Sequence, residues 1–169
     1  MRQILLSIFK ELNQRMEVEN DRRRQESAME LRPVEIRILG QVTLLANDIV
    51  AKVLTLQRTN DLDATFNINQ DFVTDLLRNK ILPQHGLVLD SDSELVWIPP
   101  KSQFEDFCAF KNVSVKLLDP ESALVSKAVK AKQKNRVLVV DAIASDQFPN
   151  LVQRIKENNG DLEYFLGGG

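Results

Sequence analysis

Arg58-Thr59-Asn60-Asp61-Leu62-Asp63, preceded by Leu39-Gly40-Gln41, is the stretch on which the fold turns. The apolar pattern from Leu54 to Phe66 predicts a β-strand carrying both aspartates. Side chains at i and i+2 of a strand share a face, so Asp61 and Asp63 aim at one spot. Two carboxylates aimed at one spot form a donor set for a hard divalent cation such as Mg2+. Just upstream, Val34-Glu35-Ile36-Arg37-Ile38-Leu39 alternates apolar and charged residues, the pattern of a half-buried strand. Gly40 ends it, and Val42 to Val50 reads as a helix.

Ile4, Leu5, Ile8, Phe9, Leu12 and Met16 fall on one helical face at the N-terminus. Glu17 to Glu30 is dense in mixed charge, either continuing that helix or forming a solvated connector. Arg32-Pro33 marks a stop, because the residue before proline avoids the α region. Asn69 to Lys80 predicts an amphipathic helix with Phe72, Val73, Leu76 and Leu77 inward and Asn69 or Asp71 as cap. Leu87–Asp90 and Glu94–Ile98, flanking Ser91-Asp92-Ser93, read as a hairpin. Phe104, Phe107 and Phe110, three apart, read as a short helix face or a loop anchor. Val113–Leu118 is a strand, followed by a helix to about Lys132 with Asp119 as N-cap and Pro120 at its first position. Val137–Ala144 and Pro149–Asn158 read as the last two helices, with Asn159-Gly160 as a C-cap. The expected organisation is a helical segment over residues 1–32, one domain over 33–166 and a disordered tail over 167–169. The irregular alternation of elements predicts an α/β (α+β) fold, a mixed sheet packed by helices.

A chain of 169 residues, 43% hydrophobic and 27% charged, is one domain with room for a core. A net charge of −2 gives no global argument for nucleic acid or membrane. One cysteine and one histidine exclude a disulfide framework and a zinc site of the usual ligands. They also disfavour Cys–His or Ser–His catalysis. No run approaches a bilayer span, and Lys10, Glu11 and Arg15 interrupt any signal-like segment. The expected setting is the cytoplasm without a membrane partner, with the N-terminal helix available either to pack on the domain or to pair with a second copy.

Strand, glycine turn, helix and Thr-x-Asp-x-Asp strand, in that order, resemble the nucleotidyltransferase fold. The nearest likeness is to its small bacterial members, often encoded with toxin–antitoxin or phage-defence systems. A second block agrees: Asp119-Pro120-Glu121-Ser122-Ala123-Leu124, then Ser126-Lys127-Ala128-Val129-Lys130-Ala131, then Asn135-Arg136 and Asp141. The resemblance implies a nucleotidyltransferase-like mixed sheet and Mg2+-dependent transfer of a nucleotidyl group from a nucleoside triphosphate to a protein or RNA hydroxyl. It assigns Asp61 and Asp63 to metal binding and catalysis, and Gly40, Gln41, Arg58, Thr59 and Lys127 to the nucleotide. Gln41 stands where a small residue is usual, either crowding the phosphate or hydrogen-bonding it, and Leu138 stands where an acidic residue is frequent. The third carboxylate belongs on the strand beside Asp61-x-Asp63. The sequence register sets Trp97 there, with Glu94 or Asp90 as substitutes if the register slips.

Three functions follow. One is nucleotidyl transfer. The second is a catalytically silent domain of the same fold, acting as an interaction partner or antitoxin-like regulator. The third is a nucleic-acid-binding module built on Lys116, Lys127, Lys130, Lys132, Lys134 and Arg136.

Overall fold

The computed structural model describes residues 1–167. The tail expected over 167–169 therefore lies outside the described residues at its last two positions. The N-terminal apolar face folds as one helix, α1 (Arg2–Gln25), and the charged stretch continues it as far as Gln25. Arg22 and Arg23 reach Glu19 on the same helix at 2.8 and 2.7 Å, so the charge run is a solvated, cross-braced face. Leu5, Ile8, Phe9, Leu12 and Met16 are fully buried. Each stabilises the fold by roughly 1.5–3 kcal/mol through removal from water. The expected apolar face is thus consumed inside the chain, apart from Ile4, which stays exposed.

Two buried asparagines fix the helix against the rest. Asn20 Oδ1 accepts from Leu31 N at 2.6 Å while its Nδ2 donates to Leu31 O. Asn13 Oδ1 accepts from Asn112 N at 2.8 Å.

The strand patterns at 34 and 113 are present as β1 (Val34–Ile38) and β6 (Val113–Leu118), paired in parallel. Val34, Ile36 and Ile38 point into the core beneath α1. Glu35 and Arg37 point out and meet at 2.9 Å. After β1 the chain makes α2 (Gly40–Ala46) and α3 (Asp48–Val53), where one helix was expected. Asn47 separates them by accepting from Ile49 N and Val50 N, each at 3.1 Å, an N-cap that ends one helix and starts the next.

The strand expected around the two aspartates, within Leu54 to Phe66, is two short ones, β2 (Asp61–Leu62) and β3 (Ala64–Phe66), with Asp63 at the break. β3 runs antiparallel to β1. β2 leaves that sheet and pairs in parallel with β4 (Val88–Leu89). Between them lie α4 (Asp71–Leu76), a π-turn over Leu77–Ile81 and a 3-10 turn over Leu82–His85. The N-cap of α4 is Gln70, whose side chain bonds Arg32 rather than capping the helix, so neither Asn69 nor Asp71 caps it.

The expected hairpin does not form. Asp90 Oδ1 accepts from Asp92 N at 2.8 Å and turns the chain into a 3-10 turn over Ser93–Leu95. Val96 and Ile98 then pack against the second core as irregular chain. Phe104, Phe107 and Phe110 are also corrected: β5 (Phe104–Ala109) is an edge strand antiparallel to β6. A register shift between Asp106 and Cys108 resets its alternation, so the three-residue spacing mimics a helix face.

The main sheet runs β3-β1-β6-β5. Asp119 accepts from Ser122 N at 2.8 Å and starts α5 (Pro120–Lys130), as the sequence predicts. α6 (Arg136–Ala144) and α7 (Leu151–Glu157) follow. Asn159 takes the left-handed position after α7, at φ 58°, and a further helix, α8 (Leu162–Leu166), succeeds it. Among the described residues, eight α-helices therefore surround a four-stranded mixed sheet and a two-stranded parallel one. None of the helices is long and apolar enough to cross a membrane. One core lies between α1, α4 and the main sheet; a second gathers around α5. α2 serves both, with Val42 and Ala46 in the first and Leu44 in the second. Gly40, at its start, sits at the junction.

Candidate functional site

Asp63 is held by the main chain on both sides. Its carbonyl accepts from Leu39 N at 2.9 Å, at the end of β1. The next residue, Ala64, donates its N–H to Ser93 Oγ at 3.0 Å, and Ser93 donates onward to Asp90 O at 2.8 Å. Val88 N donates to Asn60 O and Asp90 N to Leu62 O, at 2.8 and 3.0 Å. Asp90, and not Trp97, therefore lies at the end of the strand beside Asp61–Leu62. Trp97 sits elsewhere: its carbonyl accepts from Ser126 Oγ at 2.6 Å, and Lys130 Nζ lies 5.1 Å from its ring centroid.

The carboxyl of Asp63 is half-buried. Burial, then the Asp90 charge and more weakly that of Asp61, push it above the ordinary carboxylate range against the pull of Lys127. Lys127 is in turn held below the usual lysine range by burial and by Lys134, with Asp63 opposing. A strained acidic pair facing a half-buried lysine is an arrangement that a bound cation and a bound anion would both relieve. Among the described residues no group of three or more His, Cys, Asp or Glu side chains is arranged to hold a metal by itself. Mg2+ seldom needs one, since it commonly binds through one or two carboxylates, substrate phosphates and water.

Gly40 explains itself here. It lies at φ 65°, and a Cβ built on it would sit 2.1 Å from Asp63 Oδ2. Its missing side chain makes room for the Asp63 carboxylate. Gln41 neither crowds nor blocks the turn, because its Nε2 donates to Gln57 O at 3.0 Å and ties α2 to the approach of β2. Thr59 Oγ1 accepts from Asp61 N at 3.2 Å, setting the exposed Asp61 at the strand start.

Lys127, whose charge acts on Asp63, is on the wall of a cavity of about 320 Å3. Gln41, Arg58 and Thr59 line it from one side and Lys127, Lys134 and Asn135 from the other. Two stretches far apart in sequence thus meet across one space, with three cations on its wall. The remaining basic residues disperse. Lys116 pairs with Glu35 at 3.5 Å, Lys132 with Asp161 at 2.6 Å, and Arg136 lies over Tyr164.

Sequence reading missed Ser93, which is 3% exposed. Only its place inside a short Ser-Asp-Ser turn marks it, and that pattern is commoner in surface loops. Ser93→Ala is expected to leave the Ala64 N–H without a partner and to cost about 1–3 kcal/mol. The check is the urea midpoint at constant m-value; a midpoint equal to wild type would show the bond to be dispensable.

No protein-family model, curated protein or solved structure matches the chain.

Proposed function

We propose that the chain binds a nucleoside triphosphate with Mg2+ and is built for nucleotidyl transfer to a hydroxyl of a protein or RNA. One observation carries this reading: Gln41, Arg58 and Thr59 converge on one cavity with Lys127, whose charge acts on Asp63. The fit to Mg2+ rests on the donor set, with the Asp63 carboxyl raised by burial and by the neighbouring Asp90 charge, and on the room that Gly40 leaves for that carboxylate. Bound there, the ion would supply a Lewis acid to the phosphoryl oxygens. Asp63 and Asp90 would hold it, with Asp61 at the rim. Arg58, Lys127 and Lys134 would bind and orient the phosphates, where positioning and charge stabilisation do most of the work of phosphoryl transfer.

Calorimetric titration of the wild-type chain with each common ribonucleoside triphosphate, with and without Mg2+, tests this. Mg2+-dependent binding is expected, weakened roughly 10- to 100-fold by Arg58→Ala or Lys127→Ala through loss of a charge-assisted bond. No binding in the presence of Mg2+ would overturn the proposal.

A second reading, the silent domain of the same fold, is favoured by the exposure of Asp61 and by the lack of a three-group metal cluster among the described residues. It keeps the nucleotide but predicts no labelled product on any acceptor. Transfer that disappears in Asp63→Asn would eliminate it.

A further inference from the structure

α6 begins at the cavity wall, with Asn135 as its N-cap and Val137 and Leu138 in its first turn. An asparagine in that position ordinarily turns its Oδ1 back to accept from the second or third helical N–H. Asn135 does not. Its Nδ2 donates instead to Ala131 O at 2.9 Å. A carbonyl only accepts, so this bond fixes the amide with nitrogen toward Ala131 and oxygen away from it.

The side chain is 9% exposed, and its Oδ1 accepts nothing from the described residues. No buried side-chain oxygen among them is left without a partner, so this oxygen keeps some exposure, on a residue that lines the cavity.

The charged groups on the same wall are of the opposite kind. Arg58, Lys127 and Lys134 are donors, and the first N–H groups of α6 have no side-chain cap. An anion is served by those donors and is repelled by a lone carbonyl oxygen. The oxygen of Asn135 is matched by an O–H or N–H donor. A ligand that uses both features carries an anion at one end and a hydrogen-bond donor at the other. A nucleotide carries both.

Resting on the nucleotide reading above, we propose that Asn135 is a specificity-determining residue whose Oδ1 accepts a hydrogen bond from a sugar hydroxyl or base N–H of the bound nucleotide. Its bond to Ala131 holds the acceptor ready, so no rotamer has to be ordered on binding.

The experiment titrates wild type and Asn135→Ala in Mg2+ with the tightest-binding of ATP, GTP, CTP and UTP. Analogues of that nucleotide lacking the 2′-hydroxyl, the 3′-hydroxyl or the base N–H donor are run in parallel, which separates sugar from base as the group read. Wild type should bind one of these analogues roughly 2- to 10-fold more weakly than the parent, the range of one neutral hydrogen bond. In Asn135→Ala that difference should vanish. A merely structural role would weaken parent and analogues alike and leave the ratio unchanged, which would overturn the proposal. Asn135→Asp, which keeps an acceptor, should retain the ratio while weakening every triphosphate by charge repulsion. Equal wild-type affinity for parent and all three analogues would also overturn it, and that measurement needs no variant to fold. Absence of any nucleotide binding sinks the nucleotide reading itself, whereas binding with an unaltered ratio sinks only the role of Asn135.

Discussion

Gly40→Ala is expected to destabilise the chain by roughly 2–5 kcal/mol and to remove its Mg2+-dependent nucleotide affinity. Two costs combine. A left-handed residue with a Cβ costs about 1–2 kcal/mol, and Gly40 is held at φ 65°. Forcing a methyl group against a packed neighbour adds about 1–3 kcal/mol, and the neighbour is Asp63 Oδ2 at 2.1 Å. The carboxylate could relieve the clash only by swinging off the spot it shares with Asp90, which trades stability for the site. In a domain of this size the stability loss corresponds to a fall in Tm of about 5–15 °C. The informative measurement is the pair of variants Gly40→Ala and Gly40→Ala/Asp63→Ala, beside Asp63→Ala alone. Removing the carboxylate should recover the clash and leave only the backbone cost, a coupling of about 1 kcal/mol or more. Strictly additive effects would mean that the glycine is there for its φ alone.

That close approach marks the limit of what the sequence conveys. β1, β6, α5 with its Asp119 cap, and α1 are all readable because each is long enough for its hydrophobic period to repeat. Gly40, Arg58, Thr59, Asp61, Asp63 and Lys127 stand out in the sequence because they fall in two ordered blocks, and the structure brings Arg58, Thr59 and Lys127 among them to one cavity. Asp90 was not. Its strand is two residues, Val88–Leu89, too short for alternation, and its true partner is Asp61–Leu62, far upstream rather than the neighbouring Glu94–Ile98. A local hairpin signal competes with a non-local pairing there, and periodicity carries no information about partners. The site was half visible for a similar reason. Residue type marks Lys127 as basic, but only the packing of α5 against α2 brings it opposite Arg58. Asn135 and Ser93 are harder still, because their roles lie in which single hydrogen bond each side chain makes.

Asp63→Asn is expected to act in opposite directions on stability and on binding. In the unfolded chain an aspartate titrates near 3.9. In the folded protein burial and Asp90 raise Asp63 above that, even with Lys127 opposing. Between the two values the folded state binds more protons than the unfolded state. Stability therefore falls as pH rises through that window, and the penalty is complete above the folded value. Asparagine cannot ionise, so the variant lacks this loss. At pH 7 it should be more stable than wild type by about 0.5–2 kcal/mol, the usual gain when a strained functional group is neutralised. The advantage should shrink as pH falls through the window and be absent below the unfolded value, where wild-type Asp63 is protonated in both states. Mg2+ with nucleotide should invert the order at neutral pH. A ligand at one hundred times its dissociation constant stabilises by about 2.7 kcal/mol, and only the wild type should receive it. Melting curves of both proteins at pH 7 and in acid, with and without Mg2+ and nucleotide, read all four outcomes. A variant less stable than wild type at pH 7 would mean that the Lys127 attraction outweighs burial and Asp90. The cluster would then be an internal ion pair that holds the fold, and the strain that makes Asp63 receptive to a cation would be gone.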